Sequence, residues 1–345
     1  MPPSRPTLEA VAAHAGVSRA TVSRVVNGGA GVRQEVIERV RHSVAALGYV
    51  PNQAARSLVT RRTGAVAVVI AEPETRVFSD PFFARQLRGI SRELSREDLQ
   101  LLLLLSEGRG DHARIGRYLS GGHVDGALMF SLHGGDPLPG MAAASGVPTV
   151  FGGRPGWTGP AGDAGLLYVD TDNRGGARQA VAHLLERGRR RIALITGPLD
   201  MTSALDRLAG YRDALGVTEA DPALVATGGF TAEGGKRAMA ELLDRSPDLD
   251  AVFASSDLMA SGALHVLRAR GRRVPQDVAV VGYDDLAPGA WAEPPLTTVR
   301  QDVEEMGSLM ARLLLRVLNS GADADGARRL APVVTEARLV VRDSS

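Results

Sequence analysis

Ser18-Arg19-Ala20-Thr21-Val22-Ser23-Arg24-Val25-Val26-Asn27 is the run on which the reading of this chain turns. Just before it, Leu8, Val11, Ala12 and Ala15 fall at i, i+3, i+4 and i+7, the apolar stripe of a short helix. Thr7 stands at the N-cap, where a hydroxyl accepts from the free N–H groups of the first turn. Gly16 tolerates the positive φ that ends such a helix. Ser18 then caps a second helix, with Val22, Val25 and Val26 on its buried side. Two short helices across a Gly-Val-Ser turn make a helix-turn-helix. Arg19, Ala20, Thr21, Ser23 and Arg24 lie on or near the open face of the second helix, and they suit base edges and phosphates. The competing reading is a plain helical hairpin with solvated arginines.

The residues that follow favour DNA binding. Val36 or Ile37, Val40, Val44 and Leu47 repeat at helical spacing up to Gly48, giving a third helix that closes a three-helix core. Asn52, after Pro51, is an N-cap for a short helix ending near Leu58. That helix is too short to persist alone in water and needs a partner to form. Thr60 to Gly64 reads as a linker, and residues 1–6 as a disordered tail. The net charge of +1 hides an asymmetry. Residues 1–62 hold nine arginines against three glutamates, so the rest of the chain is net acidic. A basic head on an acidic body is the footprint of a duplex-binding module attached to something else.

From Ala65 the pattern changes. Ala65–Ile70 is a continuous apolar run, as expected of a strand buried on both faces of a parallel sheet. Similar runs occupy 99–105, 126–130, 148–151, 191–196, 251–255 and 278–283. Helical stretches alternate with them near 82–96, 111–121, 174–187, 203–215, 231–245 and 258–270. Such alternation predicts an α/β body, too long for one simple sheet and hence two sheets side by side. Ligands of open α/β sheets bind beyond the carboxyl ends of the strands, here a cleft between two lobes.

Composition excludes several chemistries. There is no cysteine, so disulfides, zinc knuckles and thiol nucleophiles are absent, which fits a reducing cytoplasm. Neither a signal peptide nor a run of ~20 apolar residues occurs, so no membrane segment is expected. No His-Glu-x-x-His and no Gly-x-Ser-x-Gly is found. Gly234-Gly235-Lys236 falls short of a phosphate loop, because Phe230 and Arg237 stand where Gly and Ser or Thr are needed. Asp284-Asp285 has no third ligand type nearby, and adjacent carboxylates of this kind more often form a hydrogen-bonding loop than a catalytic pair. No catalytic residue, metal or cofactor is expected.

The head resembles that of the LacI/GalR family of bacterial transcription repressors. The likeness is carried by Thr7-Leu8-x-x-Val11-Ala12-x-x-Ala15-Gly16-Val17-Ser18, by Thr21 through Asn27, and by Leu47-Gly48-Tyr49-x-Pro51-Asn52-x-x-Ala55-Arg56-x-Leu58. Landmarks in the body include Ser79-Asp80-Pro81-Phe82-Phe83, Asp170-x-Asp172-Asn173, Arg207-x-x-Gly210-Tyr211 and Val281-Gly282-Tyr283-Asp284-Asp285. The body is thus similar to a periplasmic sugar-binding protein, with crossings between lobes near Asp172, Val299 and Pro332. The resemblance implies an all-α helix-turn-helix head at 7–48, a hinge helix and linker at 49–63, and a two-lobed α/β sensor at 64–345. One lobe takes about 64–171 and 300–331, and the other about 172–299 and 332–345. Glu72–Val77 and Gly152-Gly153-Arg154 depart from the commonest family forms.

What the resemblance implies for function is specific. Arg19, Ala20 and Arg24 would read the major groove of a pseudo-palindromic operator, Arg24 being best suited to guanine. Thr7, Ser18, Thr21, Ser23 and Asn27 would contact phosphate or cap helices. Asn52, Ala55 and Arg56 belong to the hinge, from which Leu58 would wedge into the minor groove and bend the duplex. Sugar sites pair planar or charged side chains with an apolar floor. Ser203, Arg207, Ser256 and Asp284 would be the polar set, Phe82, Phe83, Phe230 or Trp291 the floor, and Arg154 would reach in from the lobe junction. The protein would act as a homodimer controlled by a small sugar. Phe151-Gly152-Gly153-Arg154-Pro155, Gly197-Pro198-x-Asp200-Met201 and Ala292-Glu293-Pro294-Pro295 resemble cellobiose-responsive members, which implies cellobiose or a short β-linked oligosaccharide. Another disaccharide, co-repression in place of induction, and a solute-binding protein without DNA function are the alternatives.

Overall fold

The computed structural model describes residues 6–26, 31–50, 62–156, 166–286, 292–320 and 330–345. Of the expected site residues, Asn27, Asn52, Ala55, Arg56, Leu58 and Trp291 lie outside the described residues, as do residues 1–5 of the expected tail. The chain divides into two compact units, Met1–Gly64 and Ala65–Ser345.

The first unit holds α1 (Leu8–Ala15), α2 (Arg19–Val26) and α3 (Gln34–Leu47). Thr7 Oγ1 accepts from the Ala10 N–H at 3.3 Å, and Gly16 ends α1 at φ +63°. Ser18 Oγ accepts from the Thr21 N–H at 3.1 Å, opening α2 three residues after α1 has stopped. Val11, Ala12, Ala15, Val22, Val40 and Tyr49 form the core, flanked by half-buried Val25, Val26, Val44 and Leu47. Gly48, again in the left-handed region, closes α3.

The second unit begins with β1 (Ala65–Ile70), α4 (Glu74–Ser79), α5 (Pro81–Arg96), β2 (Gln100–Leu105), α6 (Arg109–Ser120), β3 (Gly126–Phe130), α7 (Leu138–Ser145), β4 (Thr149–Gly152) and β5 (Leu167–Thr171). It continues with α8 (Asn173–Glu186), β6 (Ile192–Thr196), α9 (Thr202–Leu215), β7 (Val225–Thr227), α10 (Ala232–Arg245), β8 (Ala251–Ala254), α11 (Asp257–Ala269), β9 (Ala279–Asp284) and β10 (Thr297–Arg300). Then come α12 (Val303–Asn319), β11 (Val333–Thr335) and β12 (Arg338–Val340). The strands form two six-stranded sheets, in the orders β11-β5-β4-β3-β1-β2 and β12-β10-β9-β8-β6-β7. Pairing is parallel throughout except between β10 and β12. Both sheets are buried on two faces, which is why β1, β3, β6 and β8 read as unbroken apolar runs.

The chain passes between lobes three times. After β5, Asp172 caps α8 by accepting from the Gly175 N–H at 2.8 Å. After β10, Asp302 caps α12 in the same way, accepting from the Glu305 N–H. The third crossing differs from expectation. β11 pairs with β5 in the first sheet, so the passage falls after Thr335 rather than near Pro332.

The first lobe is held by an unusually close approach of α5 and α12. A Cβ on Gly89 would lie 2.0 Å from the Glu304 carbonyl oxygen, and one on Gly307 would lie 2.2 Å from that of Gln86. Backbone, not a yielding side chain, blocks the space. Gly307→Ala is therefore expected to destabilise the protein by about 1–3 kcal/mol, as overpacking does. The check is a lowered denaturant midpoint with an unchanged slope.

Candidate functional site

The carboxyl ends of both sheets face one cleft. Many wall residues sit just past the end of a strand: Arg76 and Asp80 after β1, Ser131 after β3, Gly153 after β4 and Asn173 after β5. The second lobe contributes Met201, Ser203 and Arg207 after β6, Phe230 after β7, Ser256 after β8, Asp284 at the end of β9 and Gln301 after β10. Parallel strands place all these positions on one edge, because every strand enters from the opposite side.

Phe82, Phe83, Ser203, Arg207, Phe230, Ser256 and Asp284, expected from the sequence, all line this cleft. Arg154 does not. It borders an adjoining depression with His133, Asp200 and Thr202, and its guanidinium donates to both oxygens of Asp206 at 2.8 Å. An aspartate fifty-odd positions away thus binds it to α9. Sequence reading missed Arg76, Asp80, Gln86, Phe130, Ser131, Asp170, Asn173, Met201, Gln301 and Met306. Asp80, Asp170 and Asn173 stood within the family landmarks, and Arg76 within a segment singled out for its departure.

Arg207 sits at the centre, only 5% exposed. Its Nε donates to Asn173 Oδ1 at 2.9 Å, and Nη1 donates to the Ser255 carbonyl at 2.5 Å and lies 3.7 Å from Asp284 Oδ1. The guanidinium carbon stands 3.6 Å from the centroid of the Tyr283 ring, a cation–π contact. Asn173 in turn donates to Asp170 Oδ1 at 3.1 Å, which fixes its amide so that the oxygen faces Arg207. Burial pushes the Asp284 carboxyl up to about 7 despite Arg207, while Gln301 donates to Oδ1 at 2.6 Å. Burial likewise raises Asp80 and Asp170. Next to Asp284, Asp285 accepts from Arg300 and Arg342 at 2.6 and 2.5 Å. The two pairings outweigh its burial and hold it below the usual carboxylate range. The Asp-Asp dipeptide is thus one cleft carboxyl and one structural anchor.

Ser131, Phe230, Asp284 and Asp285 all take positive φ, at 57°, 57°, 108° and 56°. Residues with a Cβ adopt that region at a cost, and such strain gathers at ligand sites. Ser256 caps α11 by accepting from the Met259 N–H at 3.2 Å, so its hydroxyl proton remains to be donated. The site therefore offers charged donors, carboxyl acceptors and the faces of Phe82 and Phe230, which is the chemistry of a polyhydroxy ligand. Among the described residues no three His, Cys, Asp or Glu side chains gather as a metal site. No helix among them is long and apolar enough to cross a membrane.

Contacts across the mouth hold the lobes together. His133 Nδ1 lies 3.0 Å from Asp200 Oδ1, the Gly134 N–H donates to the Asp200 carbonyl, and Thr202 donates to the Arg154 carbonyl at 2.7 Å. His133 Nε2 is 3.4 Å from Glu72 Oε1. The hydrogen bond to Glu72, with Asp200 beside it, raises the imidazole to about 9 against a usual value of 6.5. A histidine raised on folding adds stability fully below its unfolded value and loses it as pH climbs through the folded one. The stability difference between wild type and His133→Gln should therefore shrink between pH 6.5 and 9, as measured by denaturant titration at stepped pH.

In the head, Ser18, Arg19, Ala20 and Arg24 are exposed on α2, while Thr21 and Ser23 are half-buried. Arg19 Nε lies 3.1 Å from Glu9 Oε1, both side chains being largely in solvent. Such a pair is weak and yields easily to a phosphate. The α2 face is thus polar, cationic at both ends, and small at Ala20.

Residues 7–52 match the family described as "Bacterial regulatory proteins, lacI family", and residues 181–345 match "Periplasmic binding protein-like domain". The chain is 51% identical over 342 residues to the "HTH-type transcriptional regulator CelR" of Thermobifida fusca, covering 99% of this chain and 98% of that one. Among solved structures, a "transcriptional regulator CelR-cellobiose complex" is 49% identical, with a TM-score of 0.77 over 99% of this chain and 100% of the other. The lac repressor dimer bound to operator and an anti-inducer is 26% identical, with a TM-score of 0.84 over 99% of each chain. A relative of that identity over nearly the whole length, with the head matched independently, establishes that the chain belongs to the lacI family of bacterial regulatory proteins.

Proposed function

We propose that the protein is a cytoplasmic transcriptional repressor, a homodimer on a pseudo-palindromic operator, released by cellobiose or a related short β-linked oligosaccharide. It is a regulator and not an enzyme, as its family is. Residues 7–48 read DNA, 49–63 link, and 64–345 sense. The observation that carries the reading is the cleft itself. Buried Arg207 and Asp284 face each other beside Phe230 at the carboxyl ends of two sheets, in a chain half-identical to CelR. The cellobiose held in the CelR complex supports the choice of effector. Sugar and operator are linked: each weakens the other's binding by the same factor, whichever is measured.

Two experiments test it. Arg207→Ala and Asp284→Ala should bind operator normally yet fail to leave it on addition of cellobiose. Hydrogen bonds to charged groups are worth about 1.5–3 kcal/mol, so sugar affinity should drop roughly ten- to a hundredfold in calorimetry. Normal release by both variants would refute the site. In the head, Arg24→Ala should cost about 1–3 kcal/mol on the operator and relax discrimination at one base position. Equal weakening on every sequence would instead make Arg24 a phosphate contact.

A further inference from the structure

Among the described residues, two side chains on the first lobe's wall of the cleft each leave one buried polar atom without a protein partner. Arg76 is on α4, its side chain 14% exposed, and its Nη1 donates to Glu72 Oε1 at 2.6 Å. Glu72 is held in turn by Ser131 Oγ at 2.6 Å and by His133. With that edge fixed, the buried Arg76 Nε has no hydrogen-bond partner among the described residues. The guanidinium carbon stands 5.9 Å from the Phe83 ring centroid in the first lobe and 5.8 Å from that of Phe230 in the second. Gln86, on α5 and 1% exposed, has the same shortfall. Its Nε2 meets only the weak acceptor Met310 Sδ at 3.2 Å, and its Oε1 is buried without a donor. Turning the amide over would leave the nitrogen unpartnered instead. A buried donor or acceptor left unmade costs about 1–3 kcal/mol, more when charged. Two of them on one wall of one cleft point to a ligand that supplies both an acceptor and a donor, as hydroxyl groups do.

The charge balance narrows the class. Each cation lining the cleft already faces a carboxylate: Arg76 has Glu72 and Arg207 has Asp284, and at the mouth His133 has Glu72 and Asp200. A phosphate or carboxylate on the ligand would add negative charge where Asp80 and Asp170 are buried as well. We infer that Arg76 and Gln86 are specificity-determining residues for the effector, bonding hydroxyls of an uncharged sugar from the first lobe while Arg207 and Asp284 hold it from the second. This rests on the reading of the cleft as a sugar site. It also gives a use to the Glu72–Val77 segment, whose departure from the common family form places an arginine at 76.

The test is calorimetric titration of the full-length protein with cellobiose and its monodeoxy analogues. Arg76→Met keeps the stem and removes the donor; Gln86→Met does the same for the amide. Operator binding shows that each variant is folded. Cellobiose affinity should fall about tenfold or more in each. Beyond that, at least one analogue weakened in wild type should bind the variant as well as cellobiose does, because the missing hydroxyl and the missing side chain are the same contact. If every ligand weakened by one common factor, or if cellobiose affinity were unchanged, the inference would be overturned while the sugar reading stood. If wild type bound none of these sugars, the sugar reading would fail and this inference with it. Should Arg76→Met not fold, Gln86→Met alone decides by the same two outcomes.

Discussion

One buried guanidinium organises the sensing half of this protein. Arg207 cannot be left in a low-dielectric site unless its charge and N–H groups are met, and the fold meets them from three directions. Asn173 comes from the crossing after β5, the Ser255 carbonyl from the end of β8, and Asp284 with the Tyr283 face from β9. The arrangement couples the ends of strands β5, β8 and β9 through one side chain. It also explains why Asn173, which never read as a site residue by type, must stand where it does. Remove the guanidinium, and the carboxyl of Asp284 keeps Gln301 but loses its nearest opposing charge.

The two lobes are chemically unlike across the cleft. In the second lobe Arg207 and Asp284 are met by Asn173, the Ser255 carbonyl and Gln301. The first lobe's wall, built on the six-residue helix α4 and the start of α5, carries donors and acceptors tied at one end only. The mouth is bridged by two pairs of charged side chains near solvent, His133 with Asp200 and Arg154 with Asp206, and by hydrogen bonds to the Asp200 and Arg154 carbonyls. Such contacts are individually weak, so the two lobes can part and rejoin without breaking the core of either.

How far the sequence carried the fold follows from the same physics. The head was legible because every signal agreed there: caps at Thr7 and Ser18, stops at Gly16 and Gly48, and apolar spacing between them. The long central strands were legible because burial on both faces leaves them almost wholly apolar. β7, β10, β11 and β12 were not, since three- or four-residue strands containing Thr or Arg carry no run to detect. α7 hides behind Pro139 and Gly140, and α4 is below the length at which a helix declares itself. In the cleft, Arg207 and Asp284 were marked by their neighbours in the sequence. Arg154 was misplaced because its partner, Asp206, lies on another element. Gln86 and Met306 looked like ordinary helix residues, and only the closeness of α5 to α12 turns them toward the cleft.

The strained corners of the site have a consequence for how such a sensor can be retuned. Ser131, Phe230 and Asp284 hold positive φ, where valine, isoleucine or threonine would be forced into a backbone they strongly resist. A designer who wants a new ligand therefore has few residue choices at these corners, glycine, asparagine and aspartate being the tolerant ones. Ser203 and Gln86 lie on regular helices, where the backbone imposes no such restriction on residue type. Libraries weighted toward the helical positions would explore ligand range at little expense in folding, while randomising the corners would mostly yield chains that no longer close the cleft.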